Sequence, residues 1–236
     1  MTKDLVKLNN VDHASQRVVT EFGAQWGDNQ MTCLAHTAEM RTLQGTYPIL
    51  FQSTADAEYP LPVALMGFET GENLFLSGAG WREPVIPMMM RKGPFYIASE
   101  GSQSGTLQSV IAMDQAHPKV KTNIGEPLFL EHGGHSPYLE KIVQLLERIE
   151  ASHPHTLAFA KTLSEMSLIT PIDLKVTDKD GAPHTLSGFF GIDEERVLAL
   201  SGEALSQLSE AGYLAPLFMV IASQSQLSRL LQLKNG

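Results

Sequence analysis

The sequence predicts an α+β fold: an antiparallel strand meander in the N-terminal half, then helices plus a β-hairpin in the C-terminal half. Three observations carry that reading. Short β-favouring runs separated by turn-forming residues occupy much of residues 30 to 114. A run with apolar residues at helical spacing follows between residues 136 and 152. Strands and helices come in blocks rather than in strict alternation, which separates α+β chains from α/β ones.

Residues 1 to 45 are weakly patterned. Within them "NQMTCLAH" reads as a strand and "TAEMRTLQG" as a short helix, with Thr37 as its N-cap and Gly45 as its stop. "TYPILFQ" reads as a strand because Tyr47, Ile49 and Phe51 alternate and the residue types favour β structure. Pro48 lacks an N–H and belongs near the start of that strand or on an edge. "PVALMGFE" and "ENLFLS" continue the meander around the turn "ETGEN". In "WREPVIPMMMRKGPF", Pro84 and Pro87 bracket a helical turn that holds Met88, Met89 and Met90, and Gly93-Pro94 ends it. "FYIAS" and "SVIAMD" are two further strands around a Gly/Ser/Gln loop.

The second half is more regular. "SPYLEKIVQLLERIEAS" is an amphipathic helix, with Leu139, Ile142, Val143, Leu145, Leu146 and Ile149 on its apolar stripe. "PHTLAFAKTLSEMSLI" reads as a second helix. "PIDLKVT" and "PHTLSGFF" form a hairpin turned at Asp180-Gly181. "DEERVLALS" and "GEALSQLSEAG" are short helices capped by Asp193 and Ser201, with Gly212 as a stop. "YLAPLFMVIASQSQLSRLLQL" closes the chain as one helix, apolar all round at its start and therefore buried.

Composition excludes several classes. A chain of 236 residues buries a core without disulfides or metals. Hydrophobic content of 43% with 18% charged residues fits a globular protein. The net charge of −9, from 17 basic and 26 acidic residues, disfavours nucleic acid and anionic membranes, which are polyanions. Cys33 is the single cysteine, so no internal disulfide forms and a cytoplasmic location fits. Its apolar neighbours favour burial over a reactive thiol. The longest strongly apolar run, residues 213 to 222, falls well short of the roughly 20 residues a membrane-spanning helix needs. The N-terminus lacks the apolar core of a signal peptide. A soluble protein, not an integral membrane one, is expected.

No G-x-S-x-G elbow, Walker loop, H-E-x-x-H or Rossmann glycine fingerprint occurs. That disfavours common hydrolases and nucleotide enzymes. No cofactor is expected, and the reading leans away from an enzyme. The sharpest local choice lies in "LFLEHGGHSPYLEK", residues 128 to 141. His132 and His135 form a weak candidate metal pair, with His153 and His155 as further candidates. Two imidazoles on a Gly-Gly turn are poorly preorganised and need another ligand. The competing reading is a turn that launches a helix: Gly133 and Gly134 permit positive φ, Ser136 caps, and Pro137 fits the first helical position. The turn is favoured, and no metal is expected.

"YPILF" at 47 to 51, "ALMGFETGENLFL" at 64 to 76, Trp81 and "VIPMMMRKGPFYIA" at 85 to 98 together resemble the SapC-like family of bacterial proteins. "LSGFFGIDEERVLALSGEAL" and "LFMVIASQSQLSRLL" extend the match, which covers about His13 to Leu231. The family pattern is more aromatic where this chain reads Met88-Met89-Met90-Arg91-Lys92-Gly93; Arg91 keeps the match. The resemblance implies one SapC-like domain over residues 1–236, with a subdivision allowed near 125–136. The family's name is associated with surface-layer protein systems. It therefore implies a non-catalytic binding or accessory protein for an envelope or surface-protein system, with a protein or peptide partner. The alternative is an enzyme or small-molecule binder with a pocket near Trp81, Arg91 and Asp114.

The ligand-binding candidates are Asn73, Trp81, Arg91 and Asp114. Arg91 offers a fork of donors to a carboxylate or phosphate; its plainer reading is to satisfy helix-end carbonyls. Trp81 and the methionines line a pocket or simply pack. Asn73 sits in the preceding turn. Asp114 ends a strand, where an acid is a base or ligand, or, as favoured, caps the next turn. His13 and Arg17, in "HASQRV", reach a site or, as favoured, anchor the N-terminal arm by an ion pair.

Overall fold

Two antiparallel sheets held on one long helix organise the chain in this computed structural model, which describes all residues except 1–3, 56, 102–106, 178–180 and 182. The first half supplies β1 (Leu5–Lys7), β2 (Arg17–Val18), β3 (Thr32–Leu34), α1 (Met40–Leu43), β4 (Ile49–Gln52), β5 (Leu61–Leu65), β6 (Leu76–Ser77), β7 (Gly80–Trp81), α2 (Met88–Arg91), β8 (Phe95–Gly101) and β9 (Leu107–Asp114). Then come β10 (Val120–Lys121), β11 (Glu126–Pro127), α3 (Pro137–Glu165), β12 (Ile169–Thr177), β13 (Pro183–Ile192), α4 (Glu194–Leu198), α5 (Gly202–Glu210), α6 (Leu214–Ser223) and α7 (Gln226–Asn235). The class is α+β.

The main sheet runs β12-β13-β4-β5-β3, with every neighbour antiparallel. The hairpin of the second half thus joins the strands of the first half, with Phe190 opposite Phe51. A second sheet runs β1-β9-β8, and short ribbons β10-β2-β11 and β6-β7 complete the pairing. Two apolar clusters form. The main one gathers Tyr47, Phe51, Leu65, Phe75, Phe159 and Leu217. The other gathers Val18, Phe95, Met113, Leu128, Leu139 and Leu146.

The 29 residues of α3 serve both clusters: its first half packs Leu139, Ile142 and Leu146 into the second, and its last turns pack Phe159 and Leu163 into the main one. At 1.5 Å per residue such a helix is roughly 43 Å long. Its start matches the turn-and-cap reading. Ser136 Oγ accepts the Leu139 N–H at 3.1 Å. Gly133 and Gly134 both take positive φ, at 83° and 85°. The caps at Asp193 and Ser201 also form.

Sequence and structure part in four places. The two expected helices of residues 137 to 165 are one. Pro154 lies inside it, where it cannot donate to the Glu150 carbonyl and its ring crowds that oxygen. Nearby, Ser152 and Thr156 hydroxyls bond the Ile149 and Ser152 carbonyls. The C-terminal helix is interrupted at Gln224-Ser225. There Gln224 Nε2 donates to the Ile49 carbonyl at 2.8 Å, and Ser223 Oγ accepts the Ile49 N–H at 2.9 Å. These side chains tether the helix to β4 in competition with its own ladder. "ENLFLS" does not extend the main sheet. Asn73 Oδ1 accepts the Phe75 N–H at 3.0 Å, a local turn that leaves only Leu76–Ser77 extended, paired with Gly80–Trp81. Thr37 does not cap α1; its hydroxyl bonds His155 and Thr156 on α3 instead. The hairpin turn placed at Asp180-Gly181 falls largely outside the described residues. No single helix among the described residues is long and apolar enough to cross a membrane.

Candidate functional site

A cleft of about 870 Å³ opens between the β3 side of the main sheet and the β8–β9 hairpin. Thr32 and Leu34 of β3 and Gln52 of β4 line it on one side, and Tyr96, Asp114 and His117 on the other. Met89 and Met90 of α2 contribute an apolar wall. One buried carboxylate holds α2 in place. Glu39 Oε2 accepts the Met88 N–H at 2.8 Å, while Oε1 accepts the His36 N–H at 3.3 Å.

The charges in and behind the cleft are largely committed to each other or to the backbone. Lys119 Nζ lies 2.9 Å from Asp28 Oδ1, and both side chains are buried. Burial pushes the Lys119 pKa down, and Asp28 opposes that shift. Asp28 Oδ2 also accepts the Gly23 N–H at 2.9 Å. Asp114 Oδ1 accepts the backbone N–H groups of Asp4 at 3.0 Å and Ala116 at 3.2 Å. His117 is half-buried, and its pKa is lowered first by burial and then by Lys119. Its Nδ1 accepts the Lys119 N–H at 3.2 Å, so the neutral ring carries its proton on Nε2. Any hydrogen bond the neutral ring makes to a ligand is donated from there. The Cys33 thiol also borders the cleft, but burial, reinforced by Glu39, raises its pKa well above the usual thiol range. That disables it as a nucleophile at neutral pH.

The four residues singled out for ligand binding do not converge. Asp114 alone lines the cleft, and it holds the turn after β9 while doing so. Arg91 is exposed and borders a separate cavity of about 230 Å³ with Tyr138 and Lys141. Trp81 Nε1 donates to the Tyr47 hydroxyl at 2.9 Å and stacks edge-on against Phe22, a packing role. Asn73 is buried, and its Nδ2 donates to the Asp28 carbonyl at 2.8 Å. It thereby positions one cleft residue without bordering the cleft. His132 and His135 are exposed on their turn, and no group of three His, Cys, Asp or Glu is placed to hold a metal among the described residues. His13 and Arg17 do anchor the N-terminal arm, but among the described residues not by an ion pair. His13 bonds Asn9 and Gln115, and Arg17 Nε donates to the Gly125 carbonyl at 2.9 Å.

Two histidines gain significance only in three dimensions. His36 is fully buried, and neither ring nitrogen has a hydrogen-bond partner among the described residues. Glu39 Oε1 stands 3.8 Å away. His155 Nδ1 lies 2.8 Å from Thr37 Oγ1 beside a shallow cavity of about 450 Å³. A hydroxyl beside an imidazole is part of a nucleophile–base arrangement, yet no third group orients this ring through Nε2 among the described residues. No local signal announces either feature, because Thr37 and His155 are 118 residues apart in sequence.

Fold and site together define an α+β protein with a mixed polar and apolar cleft between two antiparallel sheets. Residues 8–230 match the family described as SapC, and the chain belongs to that family. No curated protein and no solved structure matches the chain.

Proposed function

We propose that this chain is a non-catalytic binding protein, in an accessory role to an envelope or surface-protein system in the cytoplasm, and that its protein or peptide partner seats in the 870 Å³ cleft. One observation carries the reading. This cleft is walled by ionisable groups already engaged with the fold: Asp28 with Lys119, Asp114 with two backbone amides, and His117 with a third. Such a wall recognises a ligand by shape and fixed dipoles, the usual basis of a binding site. The accessory role rests on the family's name.

The test is affinity capture from the source organism's lysate with wild-type protein, Thr54→Trp and Arg91→Ala as baits. Thr54 is exposed and lines the cleft, so an indole there obstructs it. A partner lost with Thr54→Trp and kept with Arg91→Ala supports the cleft. A partner lost with Arg91→Ala alone moves the site to the smaller cavity. A partner retained by both variants sinks both placements.

A further inference from the structure

β3 is the last strand of the main sheet, paired along one edge only. The register decides which of its backbone groups are spoken for. Ala35 N–H donates to the Pro62 carbonyl at 2.9 Å, and Met66 N–H to the Met31 carbonyl at 2.7 Å. In an antiparallel ladder hydrogen-bonded pairs recur at every second residue, so Met31, Cys33 and Ala35 are the positions that bond β5. The N–H and C=O groups of Thr32 and Leu34 therefore point away from β5. Among the described residues nothing else bonds them. Both residues line the cleft and are only half-buried.

We propose that this edge binds an extended peptide segment of a partner protein by strand addition. The inference rests on the cleft reading above and names the ligand class and the mode of binding. The complementarity is electrostatic. Thr32 and Leu34 each present one donor and one acceptor, repeated every two residues, or about 6.6 Å along a strand. An extended main chain presents the matching acceptors and donors at the same repeat. An antiparallel segment completes up to four main-chain bonds, two opposite Thr32 and two opposite Leu34. Main-chain pairing supplies affinity without reading sequence. Met89, half-buried at the border of the same cleft, gives the segment's side chains an adaptable thioether contact. An unpaired edge in open solvent is a liability that proteins usually blunt; here the two edge residues are half-buried within the cleft.

A phage-displayed library of random octapeptides is panned against the full chain. Hits are synthesised, and their affinities are measured by fluorescence anisotropy. Leu34→Pro deletes one outward N–H and spares the β5 ladder, in which that group takes no part. Leu34→Ala keeps the N–H and controls for the lost side chain. Hits are expected to bind wild type and Leu34→Ala within about threefold and Leu34→Pro about tenfold or more weakly. N-methylating the peptide at one of its two alternating sets of residues is expected to give the same loss. That arm alters the peptide only, so it decides the matter even where Leu34→Pro does not fold. Hits that tolerate the proline and both methylation sets overturn strand addition, as does a library that returns no binder above background. A wild-type dimer made monomeric by Leu34→Pro also overturns it, because a second copy then occupies the edge. Hits blocked by Thr54→Trp but indifferent to the backbone changes remove strand addition and leave the cleft standing. Hits indifferent to all of them remove both.

Discussion

His117 links the cleft to the stability of the fold. Its pKa in the folded protein lies below the ordinary 6.5, chiefly because burial disfavours the charged ring. The unfolded chain therefore takes up the proton more readily. As pH falls through 6.5 the unfolded state gains, and the loss of stability stops once pH passes below the folded pKa, where both states are protonated. His153 shifts in the same direction, by burial and then by His36. Urea unfolding midpoints are expected to fall between pH 7 and pH 5, and His117→Gln to flatten part of that slope. A slope unchanged in the variant would show that the ring is solvated in the folded state. At this scale the sequence was a partial guide. Cys33 is the buried packing residue its apolar neighbours suggest, and Asp114 caps the turn it precedes. Arg91 was legible as a donor on a short helical turn, but its distance from the cleft was not, because that depends on which way a four-residue helix faces. His36 shows the limit most clearly: nothing in "CLAHTAE" says that both its nitrogens end without hydrogen-bond partners among the described residues.

Elements with strong local signals were readable and elements made by long-range pairing were not. The caps at Ser136, Asp193 and Ser201 follow from side chains that act within three residues. β1 and β2 are three- and two-residue segments with no alternation to detect, and they are strands only because β9, β10 and β11 pair with them. The β2–β11 contact contains a glycine that no side chain can replace. Gly125 takes φ of 96°, and a Cβ there would collide with the Val18 carbonyl. Gly125→Ala combines left-handed backbone strain with a steric clash against main chain, and each effect costs on the order of 1–3 kcal/mol. The expected result is a fall of several degrees in Tm by differential scanning calorimetry. A variant as stable as wild type would mean that the strand pair shifts at little cost.

The whole molecule is joined through α3, which places side chains in both apolar clusters. Leu146→Ala empties part of the second cluster and Phe159→Ala part of the main one, each at a cost of about 2–5 kcal/mol. Because one helix carries both residues, each substitution is expected to lower a single transition followed by far-UV circular dichroism. Two separated transitions in either variant would show that the clusters unfold independently. The class is legible in the sequence at this scale but the plan is not, since no local signal joins the meander to the hairpin that pairs Phe190 with Phe51.

That pairing bears on the order in which the protein can be built. A chain leaves the ribosome N-terminus first. The second cluster has its parts once the first half of α3 has emerged, because they all precede that point. β4 and β5 are made early, yet β13 and α6, which pack with them, arrive more than half a chain later. During that interval Ile49, Leu50 and Phe51, none of which meets solvent in the finished fold, await their cover. The nascent polypeptide thus carries a sticky, half-assembled sheet through most of its own synthesis, a state prone to self-association until the last helices arrive.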